Sequence, residues 1–292
     1  MRLNRLLNYS LVLITGLALA ADAPDQPPAP VESSATVATA TKDAPFVNGL
    51  GMRFVPVPIA AGPTRGQRLL FSVWDTRVQD YAAFVKETQR DWPEVDFAQG
   101  PTHPAVNVSW EDAHAFCAWL TFREFGTSKV GAPVRYRLPI DYEWSCAVGL
   151  GRLEKVAGTP AAKSGKVKDV YPWGTQWPPP KGAGNYLPSV GVDNFEKTSP
   201  VGSFAANAYG LYDMGGNVWQ WCEDRWKKDD FRALRGGSWF NFDAPSLLSS
   251  ARINRDKTER YDETCGFRCV LVVEALPAVP GYSVSPSPGK KR

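Results

Sequence analysis

The sequence predicts a single α+β domain, loop-rich and packed on aromatic rings, and three observations point there. The 292-residue chain carries 11 Trp together with 25 Gly and 25 Pro, a composition that argues against a helical bundle. The stretch from Tyr209 to Phe240 sets Gly215-Gly216 before Asn217-Val218-Trp219-Gln220-Trp221 and returns to Gly236-Gly237-Ser238-Trp239. A Gly-Gly turn feeding an aromatic alternation is a strand signal, with Trp219 and Trp221 on one face and Val218 and Gln220 on the other. Finally, from about residue 149 to 200 there is almost no periodicity, and a loop that long needs a function or an internal staple.

The ends read differently from the middle. Residues 1–20 resemble a cleaved secretory signal: Arg2 and Arg5, an apolar run from Leu11 to Leu19, and Ala18-Leu19-Ala20 as the cleavage site. Residues 21–45 form a Pro/Ala/Ser/Thr linker without enough apolar surface to fold, and residues 275–292 form a similar tail. The folded domain is expected over 46–274. No later segment is long and apolar enough to span a bilayer, so the mature chain is expected to be secreted or periplasmic. A formal net charge of +3 gives no case for nucleic acid binding.

Within the domain, Met52 to Val57 reads as a strand, with Pro56 favouring an edge position. Leu69 to Trp74 continues the strand character. Thr76-Arg77-Val78-Gln79 predicts a helix start, with Val78, Tyr81, Ala82 and Val85 inward. Ser109-Trp110-Glu111-Asp112 caps a second helix, with Ala113, Phe116, Cys117 and Leu120 inward. A short third helix carries Tyr142, Trp144 and Cys146. Strands are expected again at Val201, Val218–Trp221, Leu234–Ser238 and Gly266–Val273.

Several blocks then occur in a telling order. They are Asn107-Val108-Ser109-Trp110-Glu111-Asp112-Ala113, Tyr136-Arg137-Leu138-Pro139, Tyr171-Pro172-Trp173-Gly174, Asn207 to Trp221, Arg235-Gly236-Gly237-Ser238-Trp239 and Gly266-Phe267-Arg268-Cys269. Together they resemble the sulfatase-modifying-factor family, whose founding member is the formylglycine-generating enzyme. The resemblance implies a C-type-lectin-like variant fold with low regular secondary structure.

It also implies sites. The family enzyme oxidises a cysteine of nascent sulfatases using Cu(I) on two thiolates, and the matching positions here are Asn241 and Ser246. Neither an amide nor a hydroxyl replaces a thiolate for soft Cu(I), so copper is not expected. The resemblance implies a disulfide between Cys117 and Cys269. Closing a loop of about 150 residues contributes up to roughly 5 kcal/mol in the chain-entropy model. Cys146, Cys222 and Cys265 are left without an assigned partner. Calcium is implied at Asn185, Tyr186, Asp193 and Phe195, where hard oxygens would staple the long loop. A weaker second calcium site would use Gly215, Gly216, Val218 and Gln220, where Gln220 lacks the expected negative charge.

Two functional classes follow. The first is an exported binding scaffold for a protein, peptide or small molecule, with Trp239, Asn241, Phe242, Asp243, Ser246, Asn254 and Arg255 as candidate contacts. The alternative is an enzyme: a formylglycine-generating oxidase, or a periplasmic modifying enzyme acting on a peptide or siderophore precursor through a divergent site. Carboxylates at Glu223, Asp224 and Asp243 would then be the acid–base candidates, and His103 and His114 read as structural.

Overall fold

The structure is a computed structural model, and it describes residues 35–126, 134–227, 230–260 and 262–273. The expected signal segment and tail lie outside the described residues. So do residues 21–34 of the expected linker, but its last eleven residues, 35–45, are described and packed on the domain. Ala40 is buried, and Arg68 holds the segment through the carbonyls of Val37 and Ala40 at 2.8 and 2.6 Å. The domain therefore starts before residue 46, because the Arg68 guanidinium on the first sheet anchors a segment whose Val37 and Ala40 also pack on the core.

The elements run β1 (Phe46–Val47), β2 (Arg53–Pro56), β3 (Arg68–Ser72), α1 (Val78–Thr88), α2 (Trp110–Phe125), β4 (Val134–Arg137), α3 (Asp141–Ala147), and α4 (Pro160–Lys163). After a single 3-10 turn at Pro188–Val190 come β5 (Trp219–Arg225), β6 (Phe231–Arg235), α5 (Ala244–Leu247), β7 (Arg252–Asp256), β8 (Cys265–Gly266) and β9 (Val270–Val273). One sheet has the order β1-β2-β3-β9-β4, with every pairing antiparallel. The other has the order β7-β6-β5-β8, in which only β5 and β8 run parallel.

Pro56 is explained by this topology. β2 is second from the edge, yet β1 reaches only Phe54 and Arg53. Because Val57 N–H points to Leu69 on β3, the Pro56 nitrogen faces the other way, where no strand lies.

The two sheets are joined by Gly266-Phe267-Arg268-Cys269, which leads from β8 into β9. Arg268 is wholly buried at this corner. Its guanidinium donates to the carbonyls of Ser72, Tyr212 and Asp213 and to Gln220 Oε1, and lies 3.3 Å from Asp75. One side chain thus ties both sheets to the Tyr209–Gly216 loop. Gly266 is required there because a Cβ would stand 2.8 Å from the Ala105 carbonyl.

The helices fit their sequence signals, with two corrections. Ser109 caps α2 as expected, accepting from Asp112 N–H while Asp112 accepts from Ser109 N–H. At α1 the cap residue is Arg77, not Thr76. Asp80 accepts from the Arg77 backbone N–H and pairs with its guanidinium, while Thr76 is taken up by bonds to Phe267 and Ala105. The inward stripe is Tyr81 and Phe84, and Ala82 is exposed. Two strand expectations also change: Val201 lies in a turn, and β7, whose sequence Arg-Ile-Asn-Arg-Asp hides its alternation, is a strand paired along its whole length with β6.

Candidate functional site

The positions that match the copper cysteines sit just beyond β6. Asn241 is a brace: its Oδ1 accepts from Ser238 N–H at 2.9 Å and lies 3.0 Å from Ser238 Oγ, which uses both lone pairs. Ser246 belongs to α5, where its N–H donates to the capping carboxylate of Asp243 at 2.8 Å. Both line a cleft of about 380 Å³ with Trp219, Asp243 and Arg255. No cysteine lines it. Its donors are amide, hydroxyl and carboxylate oxygens, which do not fit Cu(I).

A second cleft of about 460 Å³ shares Phe240 and Thr264 with the first, so the two flank one exposed ring. Its walls carry Trp239 and four carboxylates: Glu94, Asp96, Asp262 and Glu263. Among the described residues two cations pair with this wall: Lys197 donates to Asp96 at 2.7 Å and Glu263 at 3.0 Å, and Arg255 donates to Asp262 at 2.9 Å. The Lys197 pairing lowers the pKa of Asp96. For Asp262, burial alone would raise the pKa, but hydrogen bonds from Thr264 and Arg255 outweigh it and lower the value. The second cleft is therefore anionic at neutral pH.

Of the expected contact residues, Trp239, Asn241, Asp243, Ser246 and Arg255 line these two clefts. Phe242 is exposed without lining either. Asn254 lines neither cleft, while Ile253 and Arg255, on the opposite face of β7 by its alternation, line the first. The four acidic wall residues were not legible in the sequence. They come from two loops more than a hundred residues apart, and neither loop has a motif.

Of the acid–base candidates only Asp243 lines a cleft, where it caps α5, and the others lie elsewhere. His114 Nε2 lies 3.8 Å from Glu223 Oε1, and the His114 ring stacks on Trp110. His103 Nδ1 contacts Thr198 Oγ1 at 3.0 Å. Asp224 accepts from the Asp141 N–H at 2.6 Å, a helix-start contact. None of these lines either cleft.

The calcium residues can be tested by their free oxygens. Asn185 is fully buried, and its Nδ2 donates to the Lys197 carbonyl and to Asn217 Oδ1. Those two acceptors fix the amide orientation and leave Asn185 Oδ1 buried without a partner. Asp193 is next to it through the Tyr186 N–H, which donates to Asp193 Oδ2 at 3.0 Å. Asp193 Oδ1 accepts from Phe195 N–H at 2.9 Å, so each carboxylate oxygen keeps a lone pair. An orphaned amide oxygen beside a carboxylate fits a hard cation, which Asn185, Tyr186, Asp193 and Phe195 would hold as a loop staple.

The second set does not fit. Gln220 Oε1 accepts from Trp144 Nε1 at 2.8 Å and Arg268 Nε at 2.7 Å, and its Nε2 donates to the Asp213 carbonyl. Gln220 has no oxygen lone pair left for a metal. Cys117 and Cys269 do meet in the core, with Sγ atoms 3.6 Å apart, but they stand as thiols and the expected bridge is not formed. Cys146, Cys222 and Cys265 are also buried thiols.

The chain is similar in sequence and in fold to known proteins. The chain is 32% identical over 182 residues to an "Inactive C-alpha-formylglycine-generating enzyme 2" of Bos taurus, covering 57% of this chain and 49% of that one. It is 30% identical over 177 residues to a "Formylglycine-generating enzyme" of Thermomonospora curvata, covering 58% and 46%. The chain thus spans about half the length of the curated relatives it matches. PvdO from Pseudomonas aeruginosa has a similar fold, with a TM-score of 0.57 at 22% identity over 78% of this chain and 97% of that one. CarF gives a TM-score of 0.52 at 22% identity, over 77% of this chain and all of that one. The family model described as "Sulfatase-modifying factor enzyme 1-like domain" matches residues 41–273, and the chain belongs to that family.

Proposed function

We propose that this chain is an exported binding protein on the formylglycine-generating-enzyme scaffold, with no copper oxidase step. The carrying observation is the donor set at Asn241 and Ser246, which is all oxygen and already engaged in braces and a helix cap. A relative named inactive, at 32% identity, is consistent with that reading. Export rests on the signal-like residues 1–20 alone.

The paired clefts suggest what is bound. An extended segment would straddle Phe240, which is 58% exposed, and place a basic group among Glu94, Asp96, Asp262 and Glu263. Four carboxylates against two paired cations, Lys197 and Arg255, leave that wall with surplus negative charge, which favours a cation by Coulomb attraction that salt screens. The test uses a fluorescent Cys-x-Pro-x-Arg peptide with the mature protein, Cu(I) and oxygen. The expected result is salt-sensitive binding by anisotropy with the peptide thiol fully retained. Loss of the thiol would restore the oxidase; no binding would remove the clefts as the site.

A further inference from the structure

We infer that the C-terminal segment carrying Lys290, Lys291 and Arg292 docks into the acidic cleft of its own chain and competes there with outside ligands. This rests on the reading that the cleft takes a basic group, and it adds what regulates that binding. The cleft is walled by Glu94, Asp96, Asp262 and Glu263. Lys197 and Arg255 pair with the last three, which leaves Glu94 without a cation among the described residues.

Asn107 independently marks a missing donor. It lines the cleft and is 4% exposed. Its Nδ2 donates to the Glu94 carbonyl at 2.9 Å, and its backbone N–H to the Asp262 carbonyl at 3.4 Å. The residue therefore lies between the two acidic loops, and the Glu94 bond fixes which way its amide faces. Among the described residues Asn107 Oδ1 is buried with no hydrogen-bond partner. An unmet acceptor among surplus carboxylates calls for N–H donors that carry positive charge, which an ammonium or guanidinium supplies.

Two terminal segments of the mature chain lie outside the described residues, and charge chooses between them. Residues 21–34 carry Asp22, Asp25 and Glu32 and no lysine or arginine, so the cleft repels them. Beyond β9 the chain carries one acid, Glu274, and then the three basic residues. Length allows the contact. Thr264 on the cleft wall is nine residues before Val273, so the two lie no more than about 32 Å apart. Lys290 is 17 residues beyond Val273, a reach of about 53 Å at the polyproline rise. Pro286 and Pro288 reduce the entropy lost on docking, and the exposed Phe240 offers them a ring to lie against.

The probe is a fluorescent peptide of residues 285–292, Ser-Pro-Ser-Pro-Gly-Lys-Lys-Arg, titrated by anisotropy against two full mature chains. One is native, and the other carries Lys290→Gln, Lys291→Gln and Arg292→Gln. The variant is expected to bind the peptide, and the native chain to bind it about tenfold more weakly. That is the factor for a tail at an effective concentration of about 1 mM competing with a peptide of about 100 μM affinity. The competition should be independent of protein concentration and fade in salt. In the variant background Glu94→Gln should weaken the peptide about threefold. Equal binding by both chains would give the cleft to basic segments but not to this tail, overturning this inference alone. Binding by neither would overturn the cleft reading with it. Competition that grows with protein concentration would assign the tail to a neighbouring copy, and indifference to Glu94→Gln would place the peptide elsewhere. Either outcome overturns the contact.

Discussion

Asp141 is a buried hub between elements of this domain. Its carboxylate is 1% exposed and accepts from Arg235 at 2.8 Å and Arg252 at 2.7 Å, with the Lys163 ammonium in contact as well. These partners come from β6, β7 and α4, so one carboxylate on α3 joins four elements. Burial acts to raise its pKa, yet the three cations outweigh that and hold it well below the usual carboxylate range. Asp141→Asn would leave buried cations uncompensated and should cost about 3–5 kcal/mol in urea unfolding. The neighbouring Asp224 behaves oppositely, since burial pushes its pKa up to about 6 despite the Asp141 N–H bond. A folded-state pKa above the unfolded one means a contribution present at low pH and lost as pH rises through about 6. The stability of the native protein relative to Asp224→Asn should therefore grow as pH falls from about 7 to about 4, measured by denaturant midpoints at constant slope. A constant difference would show that Asp224 is ionised throughout.

The turn before β5 shows what was legible and what was not. Gly215-Gly216 before Trp219 and Trp221 marked the turn into β5, but the close approach that this turn makes was hidden. A Cβ on Gly216 would stand 2.5 Å from the Asn185 carbonyl, and the backbone there has φ 81°. The ring pressed against the turn is Tyr186, not an indole of β5. Asn217 completes the join, accepting from Ser199 N–H and donating to the Ser199 carbonyl. The long aperiodic stretch is thus stapled to β5 by one asparagine and two glycines, pairings set by tertiary contact rather than local periodicity. The α2 cap and its inward face were readable because Ser109-Asp112 and the Ala113, Phe116, Cys117, Leu120 spacing are local. β7 was not, since its polar residues, buried or half-buried, erase the apolar alternation. Gly216→Ala should destabilise by about 3 kcal/mol or more, combining a forbidden contact with a left-handed backbone. A thermal melt within a degree or so of the native protein would mean that the loop can move aside.

Across the molecule, the recognisable blocks supply the scaffold and a few cleft-lining rings such as Trp219 and Trp239, while the acidic cleft residues come from loops whose sequences carry no motif. The same division applies to the staple at Asn185 and Asp193, since the family resemblance named the residues but only the packing shows an amide oxygen buried without a partner. That oxygen supplies a reason for calcium to bind the folded chain and not the unfolded one. Mass action then predicts about 2.7 kcal/mol of stabilisation at a hundredfold excess over the dissociation constant. For a domain this size that corresponds to a melting-temperature rise of roughly 5–10 °C. Removal of calcium with a chelator should lower the transition by that amount, and Asp193→Ala should abolish the response while leaving the copper-position cleft intact. The second set around Gln220 should contribute nothing, so calorimetry should return about one calcium per chain. Two tight calcium ions would mean that Gln220 releases Trp144 and Arg268 on binding, and the sheet corner would then be a metal-responsive joint instead of a fixed one.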